Sequence, residues 1–262
     1  MPIRSEGEPA PEAGGRRLRV AAAGDVHCKP SIREQVSESF AAVAAGVDAI
    51  LLAGDLTTHG EVEQAEVLAD AVRPLDLPVV AVLGNHDFHV NRPRELIAVL
   101  EDAGMNVLDR SWKVMDFDGC ELGVAGVKGF VGGFPGSHLS DFGEPSLRAV
   151  YAESGEEAAA LDEGLRAIAQ CPYRVALLHY APITETLEGE PREIWTMLGT
   201  DRLGAPIREH EPDLVLHGHA HAGSFEGSLG GAPVYNVSVP VMGQDFWVFE
   251  LTARRRPSTP IH

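Results

Sequence analysis

Apolar runs alternate with amphipathic stretches through the first hundred residues of the chain. Three continuous apolar runs are typical of strands buried on both faces: residues 18–23, 47–53 and 79–83. Between and after these runs, apolar residues recur every three or four positions, which predicts helices. The repeats are Val36, Phe40 and Val43, then Val62, Ala65, Ala69 and Val72, then Leu96, Ile97, Val99 and Leu100. Ser31 and Glu34 have capping-box spacing before the first helix. The alternation predicts β-α units and a parallel sheet.

The pattern changes in the second half of the chain. Strand patterns at 112–117 and 120–127 flank Asp118-Gly119, a hairpin signal, so we expect antiparallel strands to form the second sheet. Later, a helix is predicted over 154–169 and strands over 175–178, 214–216, 223–229, 234–239 and 246–251. Two long irregular loops, 128–145 and 181–196, interrupt this order. Loops of that length usually have a function or are mobile.

The composition predicts a soluble globular protein. Hydrophobic residues make up 44% of the 262 positions and charged residues 23%, and no apolar run approaches the roughly 18 residues of a membrane span. Three widely spaced cysteines suit a reducing compartment, so a cytoplasmic location is predicted. The formal charge of −18 disfavours a long nucleic acid as partner, although Arg254, Arg255 and Arg256 leave open a local nucleic-acid patch beside the interpretation as a solvated tail.

Seven residues of metal-binding type stand at or just beyond the ends of apolar runs. They are Asp25, His27, Asp55, Asn85, His179, His219 and His221. The carboxyl ends of strands in open α/β sheets form a crevice where sites occur, so we expect these residues to converge. Taken singly, each is also compatible with a turn or a cap. Together, seven ligands predict two metal ions with a carboxylate shared between them.

This ligand set favours phosphoester hydrolysis. Two ions a few ångströms apart hold a bridging water and lower its pKa toward about 7, which supplies a hydroxide that attacks phosphorus without a protein nucleophile. The chain contains no Gly-x-Ser-x-Gly elbow and no Walker loop, in agreement with that interpretation. Beside Asn85, His86 would carry a proton at the site, and Asp87 would accept from its other ring nitrogen and fix the tautomer.

The order of these blocks resembles the calcineurin-like metallophosphoesterase superfamily. The blocks are Asp25-x-His27, Gly54-Asp55, Gly84-Asn85-His86-Asp87, His179 and Gly218-His219-x-His221. The resemblance covers residues 18–251, inside a metallophosphoesterase domain predicted over 17–252 between flexible tails at 1–16 and 253–262. It implies an α/β fold, a four-layer α/β/β/α sandwich of two mixed β-sheets flanked by helices.

The resemblance also implies roles for individual residues. Asp25, His27 and His221 would bind one ion, Asn85, His179 and His219 the other, and Asp55 would bridge them. His86, supported by Asp87, would be catalytic. The cofactors would be two divalent or trivalent ions, from among Mn, Fe, Zn, Ni and Co, because carboxylate, amide and imidazole ligands accept all of these.

The substrate class is suggested by a second, narrower resemblance. The run Gly84-Asn85-His86-Asp87-Phe88-His89 resembles the class III cyclic-nucleotide phosphodiesterase branch, whereas Ala220 stands where that branch often has Thr. Small phosphodiesters are therefore the expected substrates. The alternatives are a phosphomonoesterase or pyrophosphohydrolase, a nuclease, and a catalytically silent scaffold that binds a protein.

Several residues near the blocks allow two interpretations each. His89 and His217 would contact substrate phosphate or support the ligands, and Cys28 would face the site or be an inert buried thiol. Aromatic residues of the loops would stack on a nucleobase or aryl leaving group, or anchor the loops. These are Phe130, Phe134, Tyr180 and Trp195. Lys128, His138 and Arg192 are further candidates for phosphate contact.

Overall fold

The structure is a computed structural model that describes residues 16–252. The predicted tails, apart from Arg16 and including Arg254 to Arg256, lie outside the described residues. The strands are β1 (Leu18–Ala23), β2 (Ala49–Ala53), β3 (Val79–Val82), β4 (Asn106–Leu108), β5 (Ser111–Phe117), β6 (Cys120–Gly126), β7 (Gly133–Phe134), β8 (Ser137–His138), β9 (Tyr173–Leu177), β10 (Leu214–His217), β11 (Glu226–Leu229), β12 (Ala232–Asn236) and β13 (Trp247–Leu251). The α-helices are α1 (Arg33–Ala44), α2 (Val62–Val72), α3 (Pro93–Asp102), α4 (Pro145–Ala167), α5 (Trp195–Leu198), α6 (Gly204–His210) and α7 (Val239–Met242).

The first sheet contains the predicted parallel strands. Its order is β13-β1-β2-β3-β4, and β1 to β4 run parallel to one another. The last strand of the chain, β13, returns to pair antiparallel with β1. The β-α alternation predicted for the first hundred residues is therefore confirmed.

The second sheet is mixed, as the resemblance implies, whereas the expectation from the hairpin signal that it would be antiparallel is wrong. Its order is β11-β12-β10-β9-β6-β5. The four central strands run parallel, and only the two edge pairs, β5 with β6 and β11 with β12, are antiparallel. The hairpin at Asp118-Gly119 forms as predicted, with both residues at positive φ. Hairpin signals reveal edges, whereas the crossovers through α4 and α6 that make the centre parallel leave no short-range signal.

Alternating side chains of the two sheets build a four-layer molecule. One core joins the facing sheets, with Val20, Leu51 and Val80 on one side and Val124, Val175 and Leu216 on the other. The opposite face of the first sheet packs on α1, α2 and α3, and that of the second sheet packs on α4 and α6. This arrangement confirms the predicted α/β/β/α sandwich.

Several local predictions differ from the structure. The helix expected over 154–169 begins at Pro145, and the loop 128–145 contains the short hairpin of β7 and β8. The loop 181–196 contains two 3-10 turns, Glu185–Leu187 and Arg192–Ile194, and leads into α5. The capping box at Ser31 is absent from the described structure, because a 3-10 turn, Pro30–Ile32, precedes α1. Among residues 16–252, no helix has both the length and the apolar character needed to cross a bilayer.

Candidate metal centre

The seven predicted ligands meet where the carboxyl ends of parallel strands from both sheets come together. Asp25 and His27 follow β1, Asp55 follows β2 and Asn85 follows β3. His179 follows β9 in the second sheet, and His219 and His221 follow β10. The ligand atoms of Asp25, His27, Asp55 and His221 lie within 4.8 Å of one another, as do those of Asp55, His179 and His219. We call these sets the first and second ligand groups.

Asp55 belongs to both groups and turns one oxygen toward each. Its Oδ2 lies 3.9 Å from Nε2 of His27 in the first group. Its Oδ1 lies 3.3 Å from Nε2 of His179 in the second group and accepts a hydrogen bond from the main-chain N–H of His86 at 2.8 Å. A carboxylate placed in this way has the geometry to bridge two cations.

Asp25 is the buried anion of the first group. Its Oδ1 lies 2.8 Å from Nε2 of His221, and its Oδ2 accepts the main-chain N–H of His219 at 2.9 Å. Burial acts to raise the pKa of Asp25, but the hydrogen bond with His221 and the nearby His179 and His221 outweigh it, so the pKa is lowered on balance. The same hydrogen bond raises the pKa of His221. Burial lowers the pKa of His27.

The second group has the donor set of a cation site. The buried ring of His179 has Nδ1 2.8 Å from the carbonyl oxygen of Ala53, so Nδ1 donates and Nε2 is the ring atom directed into the group. Nε2 lies 2.9 Å from Oδ1 of Asn85 and 3.3 Å from Oδ1 of Asp55. With Nε2 unprotonated, these three atoms are all electron-pair donors, an arrangement that a metal ion satisfies.

His219 completes the second group with its other ring nitrogen. Its Nε2 donates to the carbonyl oxygen of Met197 at 3.2 Å, which leaves Nδ1 for a cation. Burial is the main cause that lowers the pKa of His219 to about 3, so the ring is neutral and able to bind metal near pH 7.

The ligand loops adopt strained backbone conformations. Four ligands have left-handed φ values: 59° at Asp25, 47° at His27, 49° at Asp55 and 71° at His219. Such conformations persist where the surrounding structure requires them, and they cluster at functional sites. The motif glycines allow the close approach of the loops, because a Cβ at Gly84 would lie 2.1 Å from Oδ1 of Asp55, and one at Gly218 would lie 2.3 Å from Oδ2 of Asp25.

His86 lies beside the first group, but its predicted contact with Asp87 is wrong. Its Nδ1 donates to the carbonyl oxygen of Thr58 at 2.8 Å, and its Nε2 lies 3.9 Å from Oδ2 of Asp55. Asp87 is fully buried and faces away from that ring. Its carboxylate accepts the main-chain N–H groups of Gly84, Leu56 and Thr57 and the Thr57 hydroxyl, all at 2.6–3.1 Å.

The residues flanking the blocks have distinct surroundings. His217 is buried between Thr186 and Gly218, with Nε2 2.9 Å from the Thr186 hydroxyl, which places it in a supporting position. His89 is exposed and stacks on His86 at 4.4 Å between ring centroids. Cys28 is buried, and burial raises the pKa of its thiol to about 12, so it is an unreactive thiol.

The loop candidates separate into three places. Lys128, Phe130 and Tyr180 line a cavity beside Asn85. Phe134, Trp195 and Arg192 line another cavity next to the β7–β8 hairpin. His138 lies on that hairpin, exposed, with Nε2 3.0 Å from a carboxylate oxygen of Asp201.

Sequence reasoning missed residues that hold the ligands in place. Thr58 orients His86, and the carbonyl of Met197 orients His219. Glu190 accepts the main-chain N–H of Ala222 at 2.7 Å and so fixes the segment that carries His219 and His221. Met197 acts through its main chain, which gives no signal in residue identity. Thr58 acts on His86 through its main-chain carbonyl, so its position in the sequence gives no signal either.

Comparisons with known proteins agree with this geometry. A family model described as calcineurin-like phosphoesterase matches residues 18–223. Phosphopantetheinyl hydrolase (PptH) from Mycobacterium tuberculosis is similar in structure, with a TM-score of 0.65, 16% identity and coverage of 93% of this chain and 98% of that chain. TT1561 of Thermus thermophilus has a TM-score of 0.54 at 19% identity, covering 89% and 99% respectively.

A further similar structure is GAP50, the anchor in the inner membrane complex of Plasmodium. Its TM-score is 0.55 at 12% identity, with 86% of this chain and 72% of that chain covered. No curated protein matches the sequence. At these identities the solved structures establish the shared fold.

Proposed function

Because the chain belongs to the calcineurin-like phosphoesterase family, we propose that it is a binuclear metal-dependent phosphoesterase that hydrolyses small phosphodiesters. The observation that carries the proposal is the position of Asp55, whose two oxygens face separate groups of imidazole and carboxylate ligands. One cation would need only one group. Two ligand groups that share a buried carboxylate suit a pair of cations.

The ions would be held as the family resemblance implies. Asp25, His27 and His221 would hold one, and Asn85, His179 and His219 the other, with Asp55 between them. Both groups offer oxygen and imidazole nitrogen, which suits Mn, Fe, Zn, Ni or Co. When bound, such a pair supplies a hydroxide nucleophile at neutral pH and neutralises the phosphoryl oxygens.

His86 is the residue that would move a proton in this reaction. Its Nδ1–H is committed to Thr58, so Nε2 is the atom available to substrate, and it lies at the edge of the first group. In the protonated ring, Nε2–H would protonate or stabilise the leaving oxygen. His27, packed edge-on against His86 with centroids 4.6 Å apart, restricts how far the ring can turn.

Charge and cysteine chemistry support a small substrate and a reducing compartment. The formal charge of −18 opposes binding of long nucleic acid. All three cysteines are free, which supports the cytoplasmic location. GAP50 is described as an anchor, so a protein-binding scaffold is the alternative from another class.

The test is the hydrolysis of bis(p-nitrophenyl) phosphate against p-nitrophenyl phosphate by protein stripped of metal and reloaded with Mn²⁺. The expected result is faster turnover of the diester, abolished by chelator and restored by metal. Preference for the monoester would instead indicate a phosphatase. If the protein with two ions bound hydrolyses neither compound and no pyrophosphate, the result would contradict the enzymatic proposal and favour the scaffold.

A further inference from the structure

A cavity of about 280 Å³ adjoins the second ligand group. Its lining residues are Asn85, Phe88, Lys128, Phe130, Glu153 and Tyr180. Asn85 is shared with the metal centre, since its Oδ1 lies 2.9 Å from Nε2 of His179. The Tyr180 ring stands 4.4 Å from that of His219, centroid to centroid. Whole-ligand pockets commonly measure about 300–1,000 Å³, so this cavity has room for one part of a substrate whose phosphoryl group lies at the ligand groups.

The walls of the cavity suit a flat apolar group. Phe88, Phe130 and Tyr180 contribute three aromatic rings, and the Phe130 and Tyr180 centroids are 5.9 Å apart with the rings inclined at 67°. Aromatic side chains pair with a further ring in offset or edge-to-face arrangements at about 4.5–7 Å between centroids. A planar ring attached to the phosphoryl group therefore finds partners here, whereas a short alkyl group does not fill the space.

Lys128 places a cation among these rings. Its Nζ lies 4.3 Å from the Phe130 centroid, 5.3 Å from that of Tyr180 and 5.7 Å from that of Phe88. Among residues 16–252, its hydrogen-bond acceptor is the carbonyl oxygen of Gly129 at 2.8 Å. An ammonium has three N–H donors, so two remain for an acceptor that enters the cavity.

The acidic neighbours of Lys128 are already engaged elsewhere. Glu157 accepts Nε of Arg110 at 3.1 Å and the main-chain N–H of Gly129 at 2.8 Å. Glu153 is ion-paired with Arg110. These carboxylates balance the charge of Lys128 without occupying its remaining donors, which keeps the ammonium available to an oxygen of the ligand.

We propose that this cavity is the specificity subsite of the candidate metal centre and binds a planar aromatic or heteroaromatic group of the phosphoester. Lys128 donates a hydrogen bond to an exocyclic oxygen of that ring. The inference rests on the proposed function for the position of the phosphoryl group. Phe130 supplies the stacking surface and Lys128 selects rings that carry an acceptor.

The test measures binding of three non-hydrolysable phosphonates to the full chain loaded with Mn²⁺, by calorimetry. Methylphosphonate has no ring, benzylphosphonate has a ring, and 4-nitrobenzylphosphonate has a ring with acceptor oxygens. For the wild type we expect benzylphosphonate to have a lower Kd than methylphosphonate. The Kd of 4-nitrobenzylphosphonate should be lower again by about tenfold, the size expected of a hydrogen bond to a charged group. Turnover of bis(p-nitrophenyl) phosphate is measured on the same samples.

Two variants separate the two contributions. In Lys128→Met, 4-nitrobenzylphosphonate should bind no more tightly than benzylphosphonate. Benzylphosphonate should still bind more tightly than methylphosphonate. Phe130→Leu, which keeps an apolar side chain, should reduce the gain that the ring provides. Lys113→Met, the same change on exposed β5, is the matched control and should leave all three Kd values unchanged.

The outcomes distinguish the subsite from the proposed function. Equal Kd values for the three probes, with diester turnover intact, would overturn the subsite alone. An equal loss of affinity for all three probes in Lys128→Met would place Lys128 on the phosphoryl group and also overturn it. Failure of the wild type to bind any phosphonate or to hydrolyse any phosphoester would overturn both proposals.

Discussion

Asp55 is the residue on which both ligand groups depend. It is 1% exposed, and imidazole nitrogens of His27, His86 and His179 lie 3.3–3.9 Å from its oxygens. Burial lowers the pKa of His27, so this neighbour is neutral near pH 7. A buried carboxylate is costly unless a cation accompanies it. The chemistry around this one side chain therefore favours bound metal.

Replacing Asp55 with Asn keeps its shape and removes its charge. If Asp55 bridges, Asp55→Asn lowers occupancy of both ions, whereas Asn85→Ala lowers occupancy of one. The measurement is metal content per chain by mass spectrometry after dialysis against limiting Mn²⁺. Asp76→Asn, at an exposed position, is the matched control. Two tightly held ions in Asp55→Asn would contradict the bridge.

Removing the His86 imidazole separates proton transfer from metal binding. We expect His86→Ala to lower kcat for a diester by about 10²–10⁴-fold, the range for loss of a general acid, with metal content unchanged. A substrate whose leaving group needs no proton, such as a p-nitrophenyl ester, should be affected less than an alkyl ester. An unchanged rate on both esters would remove His86 from the mechanism.

The residue types at the centre could be predicted from the sequence, but their local geometry could not. Asp, His and Asn at strand ends identified seven candidate ligands, and the structure brings their side chains together. The left-handed backbone at four of them and the choice of Nδ1 on His219 depend on partners distant in the chain, such as the carbonyl of Met197. Every residue type has a main-chain carbonyl, so residue identity does not reveal such a contact.

Two neighbouring loops are joined by the Asp87 carboxylate. The segment after β2 offers the N–H groups of Leu56 and Thr57, and the segment after β3 offers that of Gly84. These bonds fix Asp55 and Asn85 relative to each other, because each ligand adjoins a bonded group. Asp87 therefore acts as a positioning residue, a role that its place next to His86 in the sequence concealed.

Asp87→Asn tests this joint between the loops. An amide presents one acceptor oxygen where the carboxylate presents two, so two of the four donors lose a partner. Losing two hydrogen bonds to a buried charge should lower the free energy of unfolding by about 2–4 kcal/mol, measured by urea denaturation. Metal affinity should fall as well, whereas Asp102→Asn, exposed at the end of α3, should change neither. If Asp87→Asn is as stable as the wild type, the hydrogen bonds of Asp87 contribute little to joining the loops.

Elements without a strong local pattern could not be predicted from the sequence, for physical reasons. The first turns of α4 are exposed, so they lack an apolar face, and Arg110 holds that helix through Glu153, Glu156 and Glu157. The short α6 begins with Gly204, a poor helix former, and has Pro206 in its first turn, where proline is tolerated. Its packing through Ile207 against the second sheet overrides that preference.

At the scale of the molecule, the metal centre depends on two facing sheets whose carboxyl ends come together. The first sheet supplies Asp25, His27, Asp55 and Asn85, and the second supplies the three remaining histidines. Neither sheet alone holds a complete ligand group, since His221 completes the first and Asp55 belongs to the second. Bound ions would thus join the two halves of the sandwich, and their removal should lower the stability of the whole domain.

Chelation should therefore lower the melting temperature of the entire domain. A site filled at about 100 times its Kd contributes about 2.7 kcal/mol, and 1 kcal/mol shifts the melting temperature of a domain this size by about 2–4 °C. Reloading stripped protein with Mn²⁺ should then raise it by on the order of 10 °C, measured calorimetrically at pH 7. Asp55→Asn, which disturbs both groups, should show a much smaller shift under the same conditions. An unchanged melting temperature despite a measured loss of two ions would show that each sheet is stable without the centre that connects them.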